Sequence, residues 1–411
     1  MAQLNITLNQ DEILQLLNEN SNEAFKLLLK ESLNSILKAE SSEQLKATPY
    51  ERSKERTDSR NGSRERTLNT RIGSIILTVP RHRNQPFKSM VFENYSRSEA
   101  ALVSTMTEMV VNGVSTRKVS KVVETLCGTS FSKSTVSELC KDLDQEVNSF
   151  RNRPLTDDYP FLYVDATYFK THENHRTISK ALFIAMAINK HGHYEIIGFN
   201  TYDKESKDTW LLFLQSLKSR GLKGLQLVTS DAHEGIIYGL SRVFSEVPWQ
   251  RCQYHFTKNI LDKTPKKYQE GLRSELQAMF NSPDLNAAIK KRDSILEDYN
   301  DVASAAMECL DQGFNDSVTV LAIPRSVQKV MRTSNHIERL NKELKRRSNV
   351  IGVFPNEASI IRLMGAVLME LNEKFEVRVK PLFYQPVIKE LETMHDKLAM
   401  IAQEQQQSLV A

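Results

Sequence analysis

The amino-acid sequence predicts a mixed α/β fold preceded by helical segments, on three observations. First, an apolar and aromatic run over 161–164 leads straight into Asp165 within FLYVDATYFK; such a run fits a strand, here 161–168, buried on both faces of a sheet. Second, 179–189 and 193–202 read as two further strands joined by a Lys190-His191-Gly192 turn. Third, the pattern then alternates. DTWLLFLQSLKSRG is an amphipathic helix closed by Gly221, and LQLVTSDAHEG is a strand that again ends in a carboxylate, Asp231. A helix over 234–247 and a short strand in WQRCQYHF follow. The first three strands can form a meander, whereas the later two need crossovers and so would run parallel to their neighbours.

Composition bounds the rest. The chain has 411 residues, 40% hydrophobic and 26% charged, which suits a globular protein of two or three domains. A formal net charge of only +4 excludes a bulk polycation, so any nucleic-acid affinity has to come from local basic patches. Cys127, Cys140, Cys252 and Cys309 are far apart and form no disulfide framework. No stretch reads as a signal peptide and no apolar run is long enough to span a bilayer, so a reducing, cytoplasmic setting without a membrane partner is expected.

In chain order, residues 1–48 form a helical segment. Asn9, Asp11 and Glu12 offer cap chemistry, and Phe25, Leu28, Leu29, Leu33, Ile36 and Leu37 form an apolar stripe. This is either a small helical subdomain or a dimerisation helix. Residues 49–95 are arginine-rich, with a strand over 72–80 that ends in Arg81, His82 and Arg83. Guanidinium forks match phosphate oxygens, which makes Arg60, Arg64, Arg66, Arg71, Arg81 and Arg83 candidate DNA contacts. The competing reading is a solvated linker of mixed charge.

Residues 96–150 read as three helices. A Ser96–Glu99 capping box opens the first, a second begins near Thr116, and a Cys127-Gly128-Thr129-Ser130 turn precedes a third from Ser132. That is a helix-turn-helix-like pattern, with Arg117, Lys118, Lys133 and Ser134 as candidate DNA contacts, although many helical hairpins share the spacing.

The α/β core begins at 151–257. Residues 258–331 are helical throughout, with a stripe of Tyr268, Leu272, Leu276, Met279 and Phe280. In 332–375, RTSNHIERLNKELKRR forms a helix capped by Ser334 or Asn335 and carrying Glu338. Ile337, Leu340 and Leu344 face inward; Arg339, Lys342, Lys345, Arg346 and Arg347 lie outward or on the flanks. Arg332, Arg339, Lys342 and Arg346 are candidate contacts to a phosphodiester backbone. The segment 376–411 is a C-terminal helix and a glutamine-rich tail, 402–411, expected to fray.

The chemistry centres on Asp165 and Asp231, each at the C-terminal end of a strand, and on Glu338 in the first turns of a helix. Neighbouring strand ends converge, and a helix packed on the sheet can add a third acid. Three carboxylates at one point repel one another unless they surround divalent cations. Mg²⁺ takes hard oxygen ligands, and two such ions can clamp an in-line phosphoryl displacement. The alternative is three separate acids, each paired with an arginine.

The stretches NGSRERTLNTRIGSIILTVPRHR, FLYVDATYFK, TSDAHEG, WQRCQYHF, TSNHIERLNKELKRR and VFPNEASIIRLMGAVLMELNEKF, in that order from about residue 50 to 375, resemble the mutator-type transposases of bacterial insertion sequences. The resemblance implies an RNase-H-like catalytic core in which the Asp-Asp-Glu triad falls on Asp165, Asp231 and Glu338. It also implies a helical insertion, placed at 258–331, for which the 107 positions between the last two acids (338 − 231) leave room. The implied cofactor is a pair of Mg²⁺ ions, with Mn²⁺ as substitute. The implied partners are double-stranded DNA, as element ends and target, and a second copy of the chain.

The expected activity is binding of terminal inverted repeats, hydrolytic cleavage of the ends, and joining of the 3′-OH to target DNA. An RNase-H-like nuclease or resolvase without strand transfer, or a domesticated DNA-binding regulator, are the alternatives. The family's Cys-x-x-His signature falls on Cys252 and His255. Zinc needs four ligands and only this pair is spaced like a site, His233 being a speculative addition. Arg251 and His255 are instead expected beside the acids, contacting phosphate or orienting a ligand, with Cys252 alternatively a small core residue. Asn335 is expected to cap its helix, His336 to be exposed, and Trp210 and Trp249 to be buried.

Overall fold

The computed structural model describes residues 21–410 except 52–54, 71–72, 90–99, 113, 115, 128–135, 137–139, 141–142 and 378–379. The chain divides into two compact units, 1–141 and 142–411.

The first unit holds α1 (Ser21–Leu45), β1 (Arg60–Thr70), β2 (Gly73–His82), α2 (Ala100–Val111) and α3 (Thr116–Cys127). β1 and β2 form an antiparallel hairpin with Leu68 opposite Ile75 and Arg66 opposite Leu77. Because strand side chains alternate, Leu68, Ile75, Leu77 and Val79 share one face, which packs on Leu29, Leu33 and Leu37 of α1. The arginine-rich stretch is therefore strand rather than linker from Arg60 onward. Phe25, expected in the buried stripe, is 50% exposed.

Arg60 donates to the Ala47 and Thr48 carbonyls and to the Ser42 hydroxyl, closing the C-terminal end of α1. Arg64, Arg81, Arg83 and Lys118 are exposed and Arg66 is half-buried. Arg71, Lys133 and Ser134 lie outside the described residues, as do the Ser96–Glu99 box, the 128–130 turn and the start of the third helix; Arg117 lies on α3, its side chain undescribed.

The second unit opens with α4 (Leu143–Asn152) and is built on five strands: β3 (Phe161–Glu173), β4 (Arg176–Ile188), β5 (Tyr194–Tyr202), β6 (Leu227–Ser230) and β7 (Trp249–Arg251). Their order is β5-β4-β3-β6-β7. β3, β4 and β5 form the expected antiparallel meander; β6 runs parallel to β3 and β7 parallel to β6. One face of the sheet, including Leu162, Val164, Phe183 and Val228, is covered by α5 (Lys207–Ser219) and α6 (Glu234–Val243) through Trp210, Phe213, Leu214, Ile236 and Leu240. Trp210 stacks on Phe183 at 4.0 Å, a core residue as expected. By alternation, Tyr163 and Asp165 face the other side.

The short strand in WQRCQYHF stops at Arg251, and α7 (Gln253–Asp262) takes over with Cys252 at its N-cap position. With α8 (Gln269–Phe280) and α9 (Leu285–Val318), α7 builds a separate helical core from Phe256, Leu272, Leu276, Met279, Leu310 and Phe314. α9 is broken at Ala303 (φ −152°, ψ 50°). Then come α10 (Arg325–Met331), α11 (Asn335–Ser348), α12 (Glu357–Glu376), α13 (Gln385–Thr393) and α14 (His395–Val410).

The glutamine-rich end, expected to fray, lies in a helix. It is helical to Val410, and Gln405 both accepts from the Trp249 N–H at 2.9 Å and donates to the Trp249 carbonyl at 2.7 Å, which occupies the outer edge of β7. Among the described residues no helix is long and apolar enough to cross a membrane.

Candidate active site

Strand register sets the first two acids side by side, although only Asp231 follows a strand end. Asp165, expected at the C-terminal end of its strand, is the fifth residue of β3, which pairing with β4 extends to Glu173. Phe161, Leu162 and Tyr163 of β3 pair with Leu227, Val228 and Thr229 of β6. Carried two residues further, that register puts Asp231 beside Asp165, on strands that in a sheet lie about 4.8 Å apart. Burial, and then the Asp231 charge, pushes the Asp165 carboxyl up to about 7; Glu338 adds to this, while the Ala166 N–H and His255 oppose it. Asp165 Oδ1 accepts from the Ala166 N–H at 2.8 Å, and Oδ2 accepts from Asn341 Nδ2 at 2.7 Å. Asp231 Oδ1 is buried without a hydrogen-bond partner.

The third acid is delivered by the segment that leads into α11. Tyr163 OH donates to the Val330 carbonyl at 2.9 Å, and Thr229 Oγ1 to the Met331 carbonyl at 2.8 Å. The Gln253 N–H donates to the Arg332 carbonyl at 3.0 Å. These bonds pin the start of α11 to β3, β6 and α7 at once. Ser334, not Asn335, takes the cap position; Asn335 is the exposed first residue of the helix. The Ser334 hydroxyl is drawn inward, 2.9 Å from Glu338 Oε1 and 3.2 Å from Cys252 Sγ, its one proton serving either.

From Glu338, the positions three and seven residues on are Asn341 and Lys345, so all three share the face of α11 that lies over β3. Lys345 Nζ sits 4.5 Å over the Phe169 ring and reaches the Tyr168 carbonyl. Asn341 is absent from the residues expected from sequence, yet its i+3 spacing from Glu338 was the signal that could have found it.

Cys252 and His255 flank the same point from the first turn of α7. His255 Nε2 lies 3.6 Å from Glu338 Oε1, and the ligating atoms of Cys252, His255 and Glu338 all lie within 4.8 Å of one another. His255 is pushed up to about 9, first by the Cys252 sulfur, with Glu338 and Asp231 adding to it and burial opposing. Burial raises the Cys252 thiol, but His255 and Ser334 outweigh it and hold the sulfur below its ordinary value.

Of the other expected residues, Arg251 lies on β7 opposite Ser230, near enough for the Asp231 charge to act on it, and the rest make contacts of their own. Arg251 stacks 4.4 Å over the Phe256 ring, against Gly313 of α9. Burial lowers its pKa, while Cys309, Asp316 and Asp231 raise it. His233 caps α6, accepting from the Gly235 N–H at 3.1 Å, with Glu205 3.9 Å from its other ring nitrogen. His336 is not exposed; its ring lies 4.8 Å from that of Tyr194 and 6.5 Å from that of Tyr163. Arg332 donates to Asn281 Oδ1, and Arg346 is held by Glu343.

Arg347, expected outward, is buried between Glu343 and Glu370, because α12 packs over its end of α11. Arg339 and Lys342 remain exposed. Trp249 is buried and donates from Nε1 to Ser230 Oγ at 2.9 Å.

The charges of Asp231 and Glu338 both act on Asp165, and Asn341 Oδ1 adds a buried carbonyl oxygen without a hydrogen-bond partner. Among the described residues, however, the three groups close enough to share one ion are Cys252, His255 and Glu338 rather than the three acids. A family model described as "Transposase, Mutator family" matches residues 1–377. The transposase for insertion sequence element IS256 in transposon Tn4001 of Staphylococcus aureus is 41% identical over 379 residues, covering 91% of this chain and 97% of that protein. The transposase for ISRM5 of Rhizobium meliloti is 38% identical over 343 residues (84% and 86%), and that for IS1081 of Mycobacterium tuberculosis is 37% identical over 350 residues (85% and 84%). The chain belongs to the Mutator family of transposases.

Proposed function

We propose that this chain binds the terminal inverted repeats of an insertion sequence, cleaves the ends hydrolytically and joins the 3′-OH to target DNA. Asp165, Asp231 and Glu338 would act as ligands of two Mg²⁺ ions, for which Mn²⁺ substitutes. The observation that carries this reading is the β3–β6 register, which carried on brings Asp231, the residue after β6, beside Asp165 of β3, together with the charges of Asp231 and Glu338 that act on Asp165. The antiparallel meander followed by two parallel strands, a helical layer and a last acid on a helix supports an RNase-H-like core.

The residues present suit the hard cation. Adjacent half-buried carboxylates repel unless a cation lies between them. Asp231 Oδ1 and Asn341 Oδ1 are buried oxygens left without partners, and all four donors are hard. When bound, such ions stabilise charge on phosphoryl oxygens and make water a competent nucleophile.

The chain's own residues do the rest. Asn341 orients Asp165, and Ser334 orients Glu338. His255, charged at neutral pH, offers a donor to a phosphate oxygen beside Glu338. Arg339 and Lys342 extend along α11 as backbone contacts, and Arg64, Arg81, Arg83 and Lys118 of the first unit provide end-binding charge. Both reactions form one phosphorus–oxygen bond as another breaks, so no external energy source is needed. Two ends must be held together, which calls for a dimer or larger assembly, bound to the nucleoid of a bacterial cytoplasm.

The test is cleavage of end DNA in Mg²⁺ by the wild type, Asp165→Asn, Asp231→Asn and Glu338→Gln, with binding followed in parallel. Each variant should bind ends and fail to cut them. Cutting by any of the three, or loss of binding in a folded variant, would overturn the assignment. A pre-cleaved end separates a transposase, which joins it to target, from a nuclease, which does not.

A further inference from the structure

We infer that Cys252, His255 and Glu338 form a binding site for a divalent cation of the zinc class, with its own ligand set and Glu338 shared with the acid pair. The ligating atoms of the three residues lie within 4.8 Å of one another. His255 Nε2 and Glu338 Oε1 are 3.6 Å apart, too far for a hydrogen bond. That distance is close to the edge of a tetrahedron around zinc, about 3.4 Å for nitrogen and oxygen ligands at about 2.0–2.1 Å. His255 Nδ1, the ring's other nitrogen, is buried without a hydrogen-bond partner.

The surroundings are those of a ligand set rather than of three chance neighbours. Cys252 and His255 come from one turn at the start of α7, and Glu338 from the first turn of α11. Ser334 ties the two elements together. Its N–H donates to Cys252 Sγ at 3.4 Å, and its hydroxyl bridges Sγ at 3.2 Å and Glu338 Oε1 at 2.9 Å. Hydrogen bonds of this kind fix ligand orientation and support negative charge on a thiolate. A sulfur, an imidazole and one carboxylate favour zinc or cobalt, whereas Mg²⁺ takes oxygen.

Cys252 is fully buried, but the His255 and Glu338 side chains are 34% and 20% exposed, so one side is open. Three protein ligands with an open fourth position describe an exchangeable site, unlike the closed four-ligand sites that only brace a fold. Resting on the function proposed above, occupancy would draw Glu338 away from Asp165 and Asp231, so zinc would restrain Mg²⁺-dependent cleavage.

Cobalt(II) is the probe. Added to the reduced full-length protein without other metals, it should give the intense visible bands of four-coordinate cobalt and a near-ultraviolet thiolate-to-cobalt band. Zn²⁺ should abolish both and Mg²⁺ neither. Cys252→Ser should remove the charge-transfer band. His255→Asn and Glu338→Gln, which keep every cysteine, should weaken cobalt binding at least about tenfold. Asp165→Asn should keep the full spectrum while losing cleavage, which separates this site from the acid pair. Absence of the band in the wild type, its survival in folded Cys252→Ser, or unchanged affinity in His255→Asn would overturn the inference even if DNA cleavage behaves as proposed. Intact cobalt spectra in a protein that never cuts DNA would overturn only the proposed function.

Discussion

Asn341 donates from Nδ2 to Asp165 Oδ2 at 2.7 Å, so α11 is held to β3 at the residue where the first acid stands. Glu338 lies three residues earlier on the same face of that helix. That side-chain bond joins the bonds at the start of α11 in fixing the relation of two acids that are 173 residues apart in sequence (338 − 165).

Asn341→Ala should leave the protein folded, at a stability cost of about 1 kcal/mol for the lost bond. Its larger effect should be on the cation: the Mg²⁺ concentration needed for half-maximal cleavage should rise about 10–100-fold. Titration of cleavage against Mg²⁺ checks this, and an unchanged midpoint would remove Asn341 from the site.

Asp165 gives a pH signature. Its folded-state value of about 7 lies above an unfolded value of about 3.9, so the unfolded chain loses this proton first. Metal-free stability should fall as pH rises from about 4 to 7 and then level off, with a slope of at most about 1.4 kcal/mol per pH unit from this group. Asp165→Asn removes the repulsion and should be the more stable protein at pH 8 in chelator, by roughly 1–3 kcal/mol. Denaturation at pH 5 and pH 8 decides it; equal pH dependence in both proteins would contradict the account.

Arg347 has the opposite sign. It is the first cause that holds Glu370 down at about 2, with Lys374 adding, and it joins Arg346, the larger cause, in holding Glu343 at about 2, below the ordinary carboxylate value of 4.5. That contribution should be fully present above pH 4.5 and drain away as pH falls toward 2. Glu370→Ala should cost about 1–3 kcal/mol at pH 7 and much less near pH 3, read by urea unfolding at both.

Gln405 guards the edge of β7, next to the strand that leads into Asp231. Gln405→Ala should cost about 1–2 kcal/mol, and hydrogen exchange at the Trp249 amide should accelerate.

Much of this architecture was legible from periodicity. Apolar runs leading into Asp165 and Asp231 announced the two strands, and the β3–β4–β5 meander followed from a Lys190-His191-Gly192 turn. Asp231 does follow the end of β6, but Asp165 is not a strand end, because pairing with β4 carries β3 on to Glu173. WQRCQYHF misled because a short apolar run fits a strand and a helix equally well; its strand stops at Arg251 since Gln253 to Asp262 have helix neighbours to pack on. Arg60 and Arg347 carry the forks that suit phosphate, yet their partners are carbonyls at a helix end and two glutamates, and such pairings are set by tertiary contacts. Gln405 is another such case: a glutamine tail predicts fraying until a sheet edge within reach supplies its bonds.

The central claim is that Asp165, Asp231 and Glu338 hold divalent cations together. Anomalous scattering from Mn²⁺ soaked into crystals of the full chain tests it most directly. The account predicts peaks within about 2.0–2.3 Å of carboxylate oxygens of Asp165 and Asp231, at least one also reached by Glu338. Ions found only on surface acids, with nothing between those two aspartates, would contradict it.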